Sequence, residues 1–318
     1  MNYYNDQSTK NYPHAFLNDV LSGLSRSERY IPPCWLYDDH GSKIFEQITD
    51  LPEYYVTRTE MNIFHEISSD FAQIIGPNAS LVEYGAGGAV KARIFLDAFI
   101  NPAKYVAIDI SFDHLEKSLN ELDLDYPDLH VHALAGDFIS GKIETNLEHE
   151  TQRVGFFPGS TIGNLTDEEI SQFLRRARNY LGEEAYFILG ADLKKSPDIL
   201  IPAYDDAQGV TADFNMNLLN RINRELDGTI NPEKFSHKAV WNDELSRIEM
   251  HLESLQDQTF DVAGQTFDIA QGDTIHTENS RKFQRAELDE IIAKNGWEMI
   301  RYETDKDAHF AVMLLKAA

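Results

Sequence analysis

The sequence predicts an open α/β fold, a parallel sheet with helices crossing over it, joined to a second, smaller α+β region. Three observations carry this. Short apolar runs alternate with segments of helical period between residues 80 and 192, a glycine-rich turn follows the first of those runs, and after Lys195 the pattern changes to one long helix and alternating strands. Alternation of the first kind gives a parallel sheet, because a right-handed crossover returns each strand beside its predecessor.

The first 30 residues are mixed polar and aromatic, and Tyr30, Trp35, Tyr37, Phe45, Tyr54 and Tyr55 then form a dense aromatic segment. Thr57 and Glu60 stand at capping-box spacing, which predicts a helix start, and Ile63, Phe64, Ile67, Phe71, Ile74 and Ile75 keep helical period until Gly76-Pro77. SLVEY (80–84) reads as a buried strand, Gly85 to Gly88 as a turn, and 90–99 as a helix. KYVAID (104–109) is a second strand, a helix carries Leu115, Leu119 and Leu122, and LHVHAL (129–134) is a third strand. RVGFFPGST (153–161) runs from a fourth strand into a loop. Thr166 and Glu169 form another capping box, whose helix Gly182 stops, and AYFILGAD (185–192) is a fifth strand. Beyond it, Val210, Phe214, Leu218 and Ile222 space a long helix, RIEMHLES (247–254) alternates as a strand, and FDVAGQTFDI (260–269) makes a hairpin around Ala263-Gly264. A helix near 285–295 and strands at 297–303 and 309–317 close the chain, the strands as an antiparallel finish on the same sheet. The expected domains are 57–194 with 284–318, and 1–56 with 195–283.

The 318 residues carry 53 Asp and Glu against 28 Lys and Arg, a net charge of −25. That surface repels phosphate backbones and anionic lipid, so nucleic acid and membrane are excluded as partners. The 42% hydrophobic content suffices for a packed core. No apolar run spans a bilayer, and MNYYNDQSTKNYPH lacks the basic-then-apolar order of a secretion signal, so a cytoplasmic location is expected. Cys34 is the single cysteine, and the eleven histidines show no H-x3-H or H-E-x-x-H pattern. No metal is expected.

Ligands of open α/β sheets sit outside the carboxyl ends of the strands. The first such end reads VEYGAGG, and a dinucleotide fingerprint would need a third glycine where Val90 stands. Its absence weighs against a pyrophosphate and leaves a nucleoside without phosphates. The E-x-G-x-G arrangement from Glu83 to Gly87 resembles the first motif of S-adenosylmethionine-dependent methyltransferases. Asp109 ends the second strand, 24 residues after Gly85, where a carboxylate can accept ribose hydroxyls. Asp137-Phe138 follows the third strand, where that family contacts adenine.

Other segments are more distinctive. WLYDDHGSKIFEQITDLPEYYVTRTE (35–60), AYDDAQGVTADFN (203–215), and RIEMHL with TENSRKF (247–252 and 277–283) resemble the histidine Nα-methyltransferase family of ergothioneine biosynthesis, with likeness from about residue 30 to the end. The resemblance implies a Rossmann-like class I methyltransferase core with a second domain that contributes the histidine pocket. It implies S-adenosyl-L-methionine as methyl donor, no metal, and conversion of L-histidine to its trimethylated betaine, hercynine, in three successive transfers. It further implies that Tyr54, Glu278 and Ser280 contact the imidazole, with Asn279 between the last two. Asn164 and Tyr204 hold the α-amino and α-carboxylate end, with Gly159 and Tyr37 near the amine. Gly85, Lys91, Asp109, Asp137 and Phe138 bind the cofactor.

The chemistry agrees with these roles. A carboxylate accepts an imidazole N–H while a hydroxyl satisfies the other ring nitrogen, and the thioether of Met250 suits the flat ring face. Asn164 can orient the amine but not deprotonate it, so Tyr37 or an ordered water carries the proton. Two departures stand out: GAGG where Gly-Ser-Gly is usual, and Asn279 where an apolar residue is common. The alternatives are methylation of another amine such as tryptophan, or an inactive S-adenosylmethionine-binding regulatory protein. A small molecule is the expected partner, and a monomer the expected state.

Overall fold

A computed structural model describes residues 2–4, 12–109, 112–136 and 152–318. The chain divides into two compact units. One is built on Val56–Lys194 and Lys282–Ala318 with the strand Asn2–Tyr4, which the expected bounds had put in the second domain, and the other on Lys10–Tyr55 and Lys195–Arg281.

The larger unit is organised on an eight-stranded sheet. Its strands run in the order Asn2–Tyr4, His130–Ala135, Lys104–Asp109, Ala79–Tyr84, Gln152–Phe157, Tyr186–Asp192, Phe310–Ala317 and Trp297–Thr304. The first six are parallel, and Phe310–Ala317 runs antiparallel to both its neighbours, Tyr186–Asp192 and Trp297–Thr304, which gives the antiparallel finish the sequence predicts for the chain's end. Ala79–Tyr84 and Gln152–Phe157 are neighbours in the sheet but not in sequence. The chain winds outward in opposite directions from this pair, and the loops that follow them part to open a crevice.

Aromatic side chains fill the layer beneath the crevice. Tyr84 meets Phe173 edge to face at 5.1 Å, Phe157 meets Phe173 at 4.5 Å, and Phe187 meets Trp297 at 5.3 Å. Trp297 satisfies its indole N–H on the Leu174 carbonyl at 3.0 Å. Gly155 must be glycine here, since a Cβ would stand 2.3 Å from the Phe187 ring. The predicted capping box at Thr166 and Glu169 is present and starts the helix Asp167–Leu181, which Gly182 ends with φ +92°. The two chain segments that leave and re-enter this unit are tied together. Phe283 N–H donates to the Asp192 carbonyl and Lys194 N–H to the Phe283 carbonyl, each at 2.9 Å, and Lys282 Nζ pairs with Asp192 at 2.7 Å with both side chains fully buried.

One helix differs from its sequence reading. It spans Tyr55–Ile75, beginning before Thr57, and Glu60 does not cap it. Glu60 lies on the apolar stripe with Ile63, Phe64, Ile67 and Phe71, and is 0% exposed. The Thr-x-x-Glu spacing is met by coincidence, and the carboxylate faces the interior of the unit.

The smaller unit carries a four-stranded sheet in the order Arg29–Tyr30, Thr274–Arg281, Arg247–Ser254 and Phe235–Asn242, beside the predicted hairpin Gln258–Val262 and Gln265–Ile269. Its helices are Tyr12–Leu24, Asp39–Thr49, Pro197–Tyr204 and Val210–Glu225. Arg221 pins the first segments to the last of these helices. Nearly buried, it donates to the Trp35 carbonyl at 2.9 Å and lies 4.7 Å over the Phe16 ring. No helix among the described residues is long and apolar enough to cross a membrane.

Candidate functional site

In the larger unit the crevice is lined by the turn after Ala79–Tyr84 and the loop after Gln152–Phe157. Gly85 and Gly87 take φ of +77° and +50°, a backbone region glycine enters without penalty. Nothing stands within 4 Å of a Cβ built on Gly87, so the turn presents open space. Gly87 N–H donates to Asp109 Oδ2 at 2.9 Å, which fixes the carboxylate at its strand's end beside the turn. Lys91 lies in the first turn of the helix Val90–Ala98, its ammonium 2.7 Å from Glu60 Oε2. The other oxygen of Glu60 accepts the Gly159 N–H at 2.7 Å. Gly159 itself has φ +78°, and the short 3-10 turn Thr161–Asn164 that follows leaves Asn164 half-buried.

Glu83, the acid of the glycine motif, lies under this floor and accepts the Tyr105 hydroxyl. Burial pushes its carboxyl up to about 8, against the pull of Tyr105 and Lys91. Asp137 and Phe138, predicted as adenine contacts, lie outside the described residues. The groups that are described are of the kind an adenosyl amino acid needs: an open turn, a carboxylate at the end of the second strand and an ammonium in the helix turn that follows.

The smaller unit gathers the other residues into an aromatic cluster. Tyr37 packs edge to face on Phe45 at 5.5 Å and on Phe214 at 5.2 Å, Phe45 meets Tyr54 at 6.2 Å, and Tyr54 meets Tyr204 at 6.1 Å. Tyr204 ends the helix Pro197–Tyr204, and its hydroxyl shares a 2.7 Å hydrogen bond with Ser280. The second acid of AYDD has a structural task. Asp206 accepts the N–H groups of Gln208, Val210 and Thr211 at 2.8–3.1 Å and so caps the helix Val210–Glu225. Burial works against its charge, but the Thr211 donors and then the others hold its carboxyl below the ordinary value.

Glu278 owes its direction to a β-bulge. The pairing of Thr274–Arg281 with Arg247–Ser254 shifts between His276 and Glu278. Before the shift Ile275 and Thr277 face inward, and after it Glu278 and Ser280 do. The extra residue therefore turns the carboxylate to the side where Tyr204 meets Ser280. His276 Nε2 donates to the Glu278 carbonyl at 3.0 Å and braces the bulge. Met250, nearly buried, is the cross-strand partner of Glu278. Asn279 sits between the two inward residues, half-buried and opposite Glu249 in register, so strand alternation directs it to the other face.

On that other face Glu249, His251 and His276 place possible metal-ligating atoms within 4.8 Å of one another. The two imidazoles stack at 4.7 Å with a 23° angle, so their lone pairs lie in nearly parallel planes. Glu249 is engaged by Arg247 at 2.6 Å. Burial lowers both histidines, and His276 falls to about 4.

Sequence reasoning missed Glu60, the bulge and this histidine pair. The signal for Glu60 was present: an acid at a core position of an amphipathic helix is either partnered or costly.

The family model described as histidine-specific methyltransferase, SAM-dependent, matches residues 16–317. The histidine N-alpha-methyltransferase of Mycolicibacterium smegmatis is 37% identical over 307 residues, covering 94% of each chain. The protein of the same name from Mycobacterium tuberculosis is 36% identical over 305 residues, again 94% of each. Ergothioneine biosynthesis protein 1 of Neurospora crassa is 28% identical over 280 residues, 86% of this chain and 31% of that protein.

Proposed function

The chain belongs to the S-adenosylmethionine-dependent, histidine-specific methyltransferase family, and on that footing we propose that it methylates the α-amine of L-histidine three times in succession to give hercynine. The observation that carries the reading is the cluster in the smaller unit, where the bulge turns Glu278 to the side on which Ser280 and Tyr204 are joined, with Met250 and Tyr54 close by. A carboxylate, a hydroxyl and a thioether beside an aromatic wall are the groups an imidazole needs: an acceptor for one N–H, a partner for the other nitrogen, and a soft surface for the ring. Indole has one N–H and no second nitrogen, so a site built this way favours histidine over tryptophan.

The units divide the labour as two domains in this proposal, the larger one serving the cofactor. Lys91 takes the cofactor's carboxylate, Gly85 lets the backbone approach its amino-acid part, and Asp109 takes the ribose hydroxyls, with Asp137 and Phe138 at the adenine. The cofactor supplies an electrophilic methyl on a sulfonium, whose displacement needs alignment more than covalent help, an effect worth up to about 7–11 kcal/mol. Asn164 and Tyr204 hold the α-amino and α-carboxylate groups, with Gly159 beside the amine. The amine must be neutral to react, and Tyr37 passes its proton to water. Aromatic neighbours tolerate the growing cation as N–H donors are replaced by methyls.

The test is incubation with labelled S-adenosylmethionine and each of the twenty amino acids, read by mass spectrometry. Trimethylhistidine as the sole product is expected. Methylation of tryptophan or another amino acid in its place, or cofactor binding without turnover, would overturn the reading.

A further inference from the structure

Glu60 is the one acid of the larger unit's apolar stripe, and its side chain is completely buried. An acid there costs stability unless it is fully partnered, and even a well-paired buried carboxylate is often no better for stability than an apolar residue of the same size. Its partners are therefore informative. One oxygen pairs with Lys91 Nζ and the other accepts the Gly159 N–H, each at 2.7 Å. The strand Tyr186–Asp192 makes room for the carboxylate, because a Cβ on Gly190 would stand 2.2 Å from Glu60 Oε1. Gly159 is equally constrained, with φ +78° and a Cβ that would come 3.1 Å from the Lys91 ammonium. One carboxylate thus joins three segments that are far apart in sequence: the helix Tyr55–Ile75, the first turn behind the glycine motif and the loop leading to Asn164.

We propose that Glu60 is a positioning residue, which fixes the Lys91 ammonium over the glycine turn and sets the Gly159 loop. The inference rests on the reading of Lys91 as the holder of the cofactor's carboxylate. A lysine stem is long and flexible, and its three donors allow it to keep Glu60 and still meet a ligand. Without the anchor the ammonium, already 22% exposed as a side chain, turns to water and the loop loses its tether.

The test is a double-mutant cycle with Glu60→Gln and Lys91→Met, reading S-adenosylmethionine affinity by calorimetry and Tm in parallel. Glu60→Gln keeps the volume and an oxygen for the Gly159 N–H but removes the charge that holds Lys91. Each single substitution is expected to weaken the cofactor by about tenfold, and the double variant to be no weaker than Lys91→Met alone. Glu60→Met, which replaces the carboxylate by an apolar chain, is expected to keep or raise Tm while showing the same loss of affinity. Affinity unchanged in Glu60→Gln while Lys91→Met is weakened would overturn the positioning role alone, and so would singles whose losses multiply in the double variant. A wild-type chain that binds no S-adenosylmethionine would instead overturn the proposed function.

Discussion

In the larger unit the polar groups at the strand ends answer one another. Lys91 meets Glu60, Gly159 meets Glu60, and Gly87 meets Asp109, all at 2.7–2.9 Å. In the smaller unit the candidate residues form a chain of rings from Phe214 through Tyr37, Phe45 and Tyr54 to Tyr204, whose hydroxyl pairs with Ser280. The first arrangement holds charges at fixed points and suits a ligand with a charged amino-acid tail and a ribose. The second offers flat aromatic surface beside a hydroxyl pair, and suits a flat ring. Under the proposed function, cofactor affinity rests mainly on the first region and the choice of acceptor ring on the second, and each is expected to be damaged separately.

The strongest way to break that separation is Glu278→Ala. The histidine KM is expected to rise roughly 10–150-fold, the range for a lost hydrogen bond to a charged group. The S-adenosylmethionine KM should stay within about twofold. Steady-state kinetics with each substrate varied in turn checks this, and a parallel loss in both constants would show that the two regions are not independent.

The units also have opposite acid–base signatures. His276 is lowered from 6.5 to about 4, chiefly by burial and then by the charge of His251. The unfolded chain therefore binds more protons between those values, and stability falls as pH drops from about 6.5 toward 4, by on the order of 3 kcal/mol. Glu83 of the larger unit is raised from 4.5 to about 8, so the folded chain binds the extra proton and stability falls as pH rises through that window. Unfolding curves from pH 4 to 8 should show His276→Gln flattening the acid limb and Glu83→Gln flattening the alkaline one. Exchange of the two effects, or neither, would contradict the assignment.

Tyr204→Phe removes one partner of the Ser280 hydrogen bond. It is expected to cost about 1 kcal/mol, near fivefold in kcat/KM for histidine, and to leave cofactor affinity unchanged. The smallest effect belongs to Thr166→Ala. Loss of the capping box should lower stability by about 1 kcal/mol and Tm by about 2–4 °C, with no change in either KM.

The core of the larger unit was legible because its strands are uninterrupted apolar runs and its turns are marked by glycine. KYVAID predicts Lys104–Asp109 residue for residue, and the last two strands pair antiparallel as expected. The smaller unit was less so. FSHKAVWN buries little besides Phe235 and Ala239, and the inner face of Thr274–Arg281 carries Thr277, Glu278 and Ser280, so neither strand shows an apolar period. The helices Tyr12–Leu24 and Asp39–Thr49 were missed among polar and aromatic residues. The second is started by Asp38, whose side chain accepts the Gly41 N–H at 2.7 Å and the Asn217 amide at 2.8 Å, the latter a long-range contact that no local spacing reveals. Most candidate residues came from the family resemblance. What local pattern misassigned was Glu60, because capping-box spacing and core spacing coincide at that position, and only the far partners Lys91 and Gly159 separate them.

Which end of histidine faces the methyl donor decides the proposed reaction. Tandem mass spectrometry of the product made with deuterated-methyl S-adenosylmethionine locates the label directly. Three labelled methyl groups on the α-nitrogen and an unlabelled imidazole are expected. Label on a ring nitrogen would contradict it, because the ring is the part that Glu278 and Ser280 are proposed to hold.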